Sequence, residues 1–472
     1  MKRVSVWMAS AAAGLLAVPA VAGEEAQSAQ SNDVQAQLTQ MQELVKGLQQ
    51  KVDAQEEQLQ HQNQLLQDAQ RVVRADEQGS VSGLAAFLDS IDVDGAVIAS
   101  YNYNFNTAAD TFQNGSFGDG GNAGASGLFM PFHRDANSFQ VDQAWFGLGK
   151  PATEESRGGF RFDIGFGAFA SVFGTGNVFN RASNSSDSTS DYVVDQAYVE
   201  YLAPVAKIDL KMGKFDTPVG AENIRQWQNF NITRGILYTL LQPVNHVGII
   251  GTVPVGDMAE IGAGLVNSAG SIISAPDDSN EKSYLATAKV GDQRANVRAS
   301  FLYGSEPTIA TNFNQNPGHA NGDQVGLADV TAWFNPSDSI SLWANYDYLF
   351  VEHTGYVAQG AAVAGRVALG MLGLDKAGVS VRGEYVQEKP SPGHGTLLIG
   401  QTTGEARVSD IWSVTGTVDY ALTDHLTVKS ELRWDFLKNG GGSDEFAEKD
   451  GGDVTFSSKD QLVWLLAAQY VF

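Results

Sequence analysis

Histidine, serine and charged side chains are where chemistry would show first, and here they are dispersed. His61, His133, His246, His319, His353, His394 and His425 are the only histidines, no two stand four apart, and no His-Glu-x-x-His occurs. The helical spacing that offers zinc two imidazoles is therefore missing. The absence of cysteine excludes disulfides, thiolate catalysis, cysteine-ligated zinc and a lipoprotein anchor. Asn114 to Gly127 is glycine-rich but lacks the Gly-Lys-Ser/Thr ending of a phosphate cradle. Asp444, Glu445, Glu448, Asp450 and Asp453 crowd one segment without the spacing of an EF-hand, which leaves cation binding or a plain solvated loop. A serine hydrolase would need its partners assembled by the fold, which residue order neither supports nor forbids. The expectation is no enzyme, no cofactor and no metal.

What remains is charge that acts by position. Glu222, Arg225 and Arg234 lie in a polar, aromatic stretch bracketed by Pro218 and Pro243. Arg161, Asp163, Arg298, Arg382, Glu384, Lys429 and Arg433 alternate with apolar residues elsewhere. Fixed charges facing a water-filled passage select among ions. The same charges, paired with one another, would instead pin the stretch to a wall. Both roles are open at this level.

The elements that must hold these charges are strands. From Ile91 onward the apolar pattern has period 2: Phe160, Phe162, Ile164 and Phe166 alternate with Arg161, Asp163, Gly165 and Gly167. Leu426, Val428, Leu432, Trp434 and Phe436 alternate with Lys429, Glu431, Arg433 and Asp435. One face of each strand is apolar and the other polar or charged, which a soluble sandwich would also show. Aromatic residues toward strand ends, an export signal, and a final alternating strand finishing on Tyr470 and Phe472 favour a transmembrane barrel. About sixteen strands can be placed, centred near residues 98, 144, 165, 197, 210, 250, 263, 286, 298, 330, 344, 364, 382, 414, 431 and 466. Sixteen strands leave an aqueous lumen, whereas eight are filled by side chains. The segments 106–137, 174–191, 267–281, 304–322 and 438–453 fit outer loops. On the polar face, Asp92, Asp94, Lys207, Asp209, Lys211, Arg294 and Asp347 join the wall charges named above, and the signs nearly cancel.

Composition agrees. The chain has 472 residues, 51 of them glycine, or about 11% against an ordinary ~7%. Spans of ~20 apolar residues are lacking, which excludes a helical membrane protein, and abundant aromatics exclude disorder. A formal charge of −24 argues against a nucleic-acid partner. Lys2 and Arg3, the apolar stretch Val4 to Val18, and Ala20-Val21-Ala22 form a signal peptide over 1–22. Over 34–76 the period is 3.5, with Leu38, Val45, Val52, Leu59, Leu66 and Val73 at one seam position. Met41, Leu48, Gln55 and Gln62 stand at the other. This is a left-handed coiled coil, and it predicts self-association, with the glutamine layers setting register or oligomer state.

One region carries a family resemblance. Val194-Asp195-Gln196-Ala197-Tyr198, Gly213-Lys214-Phe215, Thr217-Pro218, Gly220 and Glu222 open a pattern that continues through Asn229, Asn231, Thr233-Arg234, Pro243 and His246-Val247-Gly248. This pattern resembles the putative β-barrel porin-2 family, the OmpL-like outer-membrane porins. The resemblance is specific over roughly 190–255 and architectural elsewhere, and it implies a porin-like outer-membrane barrel. The coiled coil is an addition to that pattern and is similar to a segment carried by some trimeric porins.

The combined expectation is an all-β transmembrane β-barrel over 84–472, of about 16 antiparallel strands, behind an N-terminal α-helical coiled coil in the periplasm. Its function would be passive diffusion of small hydrophilic solutes and ions, with weak cation preference, in a homotrimer surrounded by outer-membrane lipid. A different class, a tether or adhesin, would use the barrel as an anchor and the coil to contact the cell wall. A 22-strand transporter with a plug would need more chain than is present.

Overall fold

The computed structural model describes residues 90–105, 130–133, 137–173, 192–267, 281–306, 323–352, 354–389, 408–438, 446–450, 453–458 and 460–472, together with Lys46. The signal peptide and all ten heptad residues lie outside the described residues, as do His61, His319, His353 and His394. The chain divides into two units, Met1–Asp89 and Ser90–Phe472.

In the second unit the strands begin with β1 (Asp92–Asn104), β2 (Phe139–Lys150), β3 (Gly158–Phe166), β4 (Tyr192–Leu202) and β5 (Asp209–Asp216). Then come β6 (Asn245–Val255), β7 (Ala259–Val266), β8 (Ser283–Gly291), β9 (Ala295–Glu306) and β10 (Asp323–Ser337). The series continues with β11 (Ile340–Val351), β12 (Tyr356–Ala368), β13 (Ala377–Lys389), β14 (Ser409–Ala421) and β15 (Leu426–Lys438). A small hairpin, β16 (Phe446–Asp450) and β17 (Asp453–Ser458), precedes the last strand, β18 (Asp460–Val471). Two short helices, α1 (Ala168–Phe173) and α2 (Ile236–Leu241), follow β3 and β5.

Sixteen of these strands close a barrel in which every neighbour pair is antiparallel, and β16 and β17 pair only with each other. Each of the sixteen strand centres expected from the alternation falls inside one barrel strand. Closure joins β1 to β18 from Ala96↔Val471 to Asn104↔Val463, and Gly95 and Phe472 exchange backbone hydrogen bonds of 2.9 and 3.0 Å beyond that ladder. A closed ladder leaves no unpaired edge, which is the condition for crossing hydrocarbon with strands.

The alternation has the polarity of a membrane barrel. On β15, Leu432 is 48% exposed and Trp434 42%, while Arg433 and Asp435, which alternate with them, are 0%. In water this arrangement is inverted, because each large apolar side chain left exposed forgoes about 1.5–3 kcal/mol. Facing lipid, the same surface costs nothing. Aromatic rings cluster on that outer surface, both along a strand and across adjacent strands. Tyr101 lies 4.6 Å from Phe139, Trp434 4.6 Å from Phe436, and Tyr385 4.6 Å from Trp412, measured between ring centroids. They sit toward the ends of β1, β2, β13, β14 and β15 that carry the long connections, as an interfacial girdle does.

Connections are short at the other end, and two charges read from the sequence as wall residues belong to them. Lys207 lies in the turn between β4 and β5 at φ 52°, and Arg294 in the turn between β8 and β9. Neither faces the lumen, because the strand pattern runs one step too far into each turn. The connection after β15, read as an outer loop over 438–453, contains the β16–β17 hairpin.

Candidate functional site in the lumen

Residues 217–244 leave the end of β5 and re-enter at β6, yet they run inside the barrel instead of over its rim. Residues 231–246 are all buried. Pro218 and Pro243 withhold ladder donors at the two departures from strand geometry. Gly220 adopts φ +83° with the Gln242 amide packed where a β-carbon would stand, and at Gly235 a β-carbon would collide with the Glu384 carboxylate. Both glycines let main chain approach side chain closely.

The first anchor is Arg225. Its guanidinium reaches Asp163 at 2.5 Å, Asp216 at 2.6 Å and Asp195 at 3.5 Å. Arg161 holds the second oxygen of Asp163 at 2.6 Å and Asp94 at 2.6 Å. Two β-bulges build this cluster. The β1–β2 register shifts at Ile98/Ala99, leaving Asp142 extra, and the β3–β4 register shifts at Asp163/Ile164, leaving Asp195 extra. A bulge turns successive residues to one face. Asp142 and Gln143 are consequently both buried inside, where they accept from the Gln226 amide side chain (2.9 Å) and backbone N–H (3.0 Å). Gln143 returns a donor to the Ile224 carbonyl at 2.7 Å.

The second anchor crosses to β13, β14 and β15. Arg382 donates to Glu222 and to the Thr233 carbonyl, both at 2.6 Å, and pairs with Glu384 at 2.9 Å. Glu384 accepts from the Leu237 N–H at 3.2 Å, and Glu222 from the Gly235 N–H at 2.6 Å, which satisfies donors at the start of α2. Glu431 accepts from the backbone of Ile232 (2.5 Å) and Thr233 (3.1 Å). Lys429 donates to the Asn229 carbonyl and Arg433 to the Arg234 carbonyl, each at 2.8 Å, while Asn231 bonds Thr417 at 2.7 Å.

Two further ties complete the circuit. Arg298 and Ser300 on β9 donate to the carbonyls of Gly220 (2.6 Å) and Pro218 (3.0 Å). Gln242 donates to Asn345 and Asp347 on β11, both at 2.7 Å. Arg234, like Arg298, has carbonyl rather than carboxylate partners, unlike Arg161, Arg225, Arg382 and Arg433. It donates to the Ile224 carbonyl, and its guanidinium lies 4.8 Å from the Phe132 ring centroid. Burial lowers its pKa, partly offset by Tyr238, Asp142 and Glu222 nearby. At Arg225 burial acts in the same direction but Asp216, Asp195 and Asp163 outweigh it, so the net shift is upward.

All ten charges singled out in the sequence therefore meet the lumen, and each has partners inside it. Asp142, Gln143, Asp195, Asp216, Gln226 and Gln242 complete the arrangement without a signal of their own in the alternation, although Asp195 stands in the family pattern. Burial leaves one part of the segment facing water. Gln228 is its only exposed residue, flanked by half-buried Trp227 and Phe230 in and beside the 3-10 turn Gln226–Gln228. Among the described residues no group of three or more His, Asp or Glu side chains is disposed to hold a metal.

Residues 90–472 match the family described as putative beta-barrel porin-2, OmpL-like. No curated protein matches the sequence. Among solved structures, OmpF of Salmonella typhi in complex with daunomycin is similar at 12% identity and a TM-score of 0.49, over 81% of this chain and 97% of that one. The outer membrane channel DcaP of Acinetobacter baumannii gives 12% and 0.48 over 81% and 97%. The trimer form of OmpT from Vibrio cholerae gives 13% and 0.46 over 81% and 99%.

Proposed function

Because the chain belongs to the putative β-barrel porin-2, OmpL-like family, we propose that it passes small hydrophilic solutes and ions across the outer membrane by passive diffusion. The observation that carries this reading is the inverted polarity of the closed wall, with Leu432 and Trp434 turned outward and Arg433 and Asp435 turned inward. Such a wall is wetted inside and lipid-facing outside, and sixteen strands are wide enough for a channel. The 217–244 segment narrows the lumen. Glu222, Arg225, Arg234 and the wall charges Arg161, Asp163, Arg298, Arg382, Glu384, Lys429 and Arg433 define that constriction.

In this reading the fixed charges act chiefly in pairs, so selectivity is weak. It leans toward cations because the chain as a whole is acidic, at −24, although screening limits such a field to ~8 Å at physiological salt. Residues 1–22 direct export, and the 34–76 coiled coil, placed in the periplasm, holds three copies together. Single-channel recording of the purified mature protein under a KCl gradient tests the proposal. Stepwise conductance closing in threes, with a reversal potential of cation-selective sign, is the expected result. A correctly folded barrel that carries no current would remove the channel reading and favour the tether.

A further inference from the structure

We infer that residues 217–244 seal the lumen instead of merely narrowing it, so that conduction requires this segment, α2 foremost, to swing off the wall. The inference rests on the channel reading and deepens it. A loop that only narrows a wet passage packs one side on the wall and turns the other to water. α2 has no wet side. Its residues, Ile236 to Leu241, are all between 0 and 3% exposed, and at ~3.6 residues per turn they cover the whole circumference of the helix. Apolar packing surrounds the segment. Val219, Leu237 and Leu240 share one cluster with Leu285, Leu302, Leu327, Leu349, Val386 and Ile411, on β8, β9, β10, β11, β13 and β14. Ile224, Tyr238 and Val244 join Trp145 of β2, Phe169 of α1 and Val193 of β4. Ile232 joins Val463, Leu465 and Ala467 of β18. The ties of Arg225 to β3 and of Ile232 to β15 lie between these contacts.

The wall agrees. Ser100, Thr331, Asn345 and Thr415 face inward and are hydrophilic, yet all are buried. Exposure returns toward the end with short turns, where the inward-facing Arg161, Lys211, Thr287 and Arg366 are partly exposed. A hydrated ion or solute entering from that vestibule meets apolar side chains and would have to shed its water to pass them. The hinge is built in. β5 and β6 are neighbours paired up to Asp216↔Asn245, so the segment leaves and re-enters the wall side by side and can move without breaking a ladder hydrogen bond.

The test uses full-length protein in planar bilayers and exploits the absence of native cysteine. Asn231→Cys and Thr417→Cys together replace side chains now bonded at 2.7 Å, and a short bifunctional methanethiosulfonate joins the segment to β14. Crosslinking is expected to lower the time-averaged current by about tenfold or more, because it removes the open state from the equilibrium, and a reductant should restore it. An unchanged current would mean that ions pass beside the seated segment, which overturns the seal and leaves the channel reading standing. If the unmodified protein carries no current, the channel reading fails, and a variant with 223–241 replaced by a short Gly-Ser linker decides the seal. Current through that variant supports it, and a folded but silent barrel overturns it. Should the cysteine pair fail to fold, single cysteines placed in turn from Ile236 to Leu241 are labelled in detergent with a charged thiol reagent. Every position is expected to react about tenfold or more slowly than Gln228→Cys, since each waits for local opening. One position as fast as Gln228→Cys gives α2 a wet side and overturns the inference.

Discussion

Replacing Arg225 by Ala leaves Asp163, Asp195 and Asp216 converging on an empty centre. The first two carboxylates are buried and the third is 31% exposed. Removing one member of a buried pair costs about 3–5 kcal/mol, because the remaining charge is stranded. Partial hydration of Asp216 places this case toward the lower figure, about 3 kcal/mol. At roughly 1.4 kcal/mol per decade, the closed position of the first half of the segment loses on the order of a hundredfold in population ratio. The second half has its own ties, from Ile232 and Thr233 to Glu431 and from Thr233 to Arg382, so the barrel itself should persist. Hydrogen exchange read by mass spectrometry separates the halves. Amides of Asn223, Arg225 and Gln226, now bonded to Asn229, Asn223 and Gln143, should exchange about a hundredfold faster, and those of Ile232 and Thr233 should not change. Arg225→Lys keeps the charge but not the planar fork that reaches three carboxylates, and it should fall between. Unchanged exchange at 223–226, accompanied by a reversal potential moved toward cations, would show that Arg225 faces permeating ions, and the anchoring argument would fail. Equal loosening of both halves would refute the division into two anchors.

Other outcomes depend on single contacts. Gly235→Ala drives a methyl into the Glu384 carboxylate and should lower stability by about 1–3 kcal/mol; a urea midpoint matching the unmodified protein would contradict the packing. Leu432→Arg puts a charge at the middle of the lipid face and should cost about 2–4 kcal/mol on folding into vesicles, a penalty that must vanish if that face is wet. Replacing Arg225 and Arg234 together by Ala should shift selectivity toward cations, and an unmoved reversal potential removes both from the constriction. Deleting 34–76 should dissolve the trimer in SDS-free sizing, and an intact trimer would leave the coil without that role.

Much of the barrel is legible in the sequence because the period-2 pattern is a local property. Leu432 and Arg433 are neighbours whose types alone say which faces lipid. Where the strand stops is less local, and Lys207 and Arg294 read as wall residues because alternation continues into the turns. The path of 217–244 has almost no local signal. Ile232 and Glu431 are 199 residues apart in sequence, and nothing in either neighbourhood announces the other. The charges of the site are visible as types but not as pairs. Asp142 and Asp195 point inward only because each is the extra residue of a bulge, a one-residue slip that leaves composition and alternation almost unmarked. Gln228 is equally hidden, since its distinction is to remain exposed among buried neighbours.

The internal segment also has a mechanical meaning. A hollow cylinder of sixteen strands resists stretching along its ladders but flattens easily into an ellipse, since that deformation only bends the sheet. Ties from one short stretch of chain to β2, β3, β9, β11, β13, β14 and β15 act as spokes across that cylinder. Lateral pressure from the surrounding bilayer is then borne by charged contacts in the lumen as well as by the wall, and the cross-section of the passage is set by the spokes rather than by the lipid.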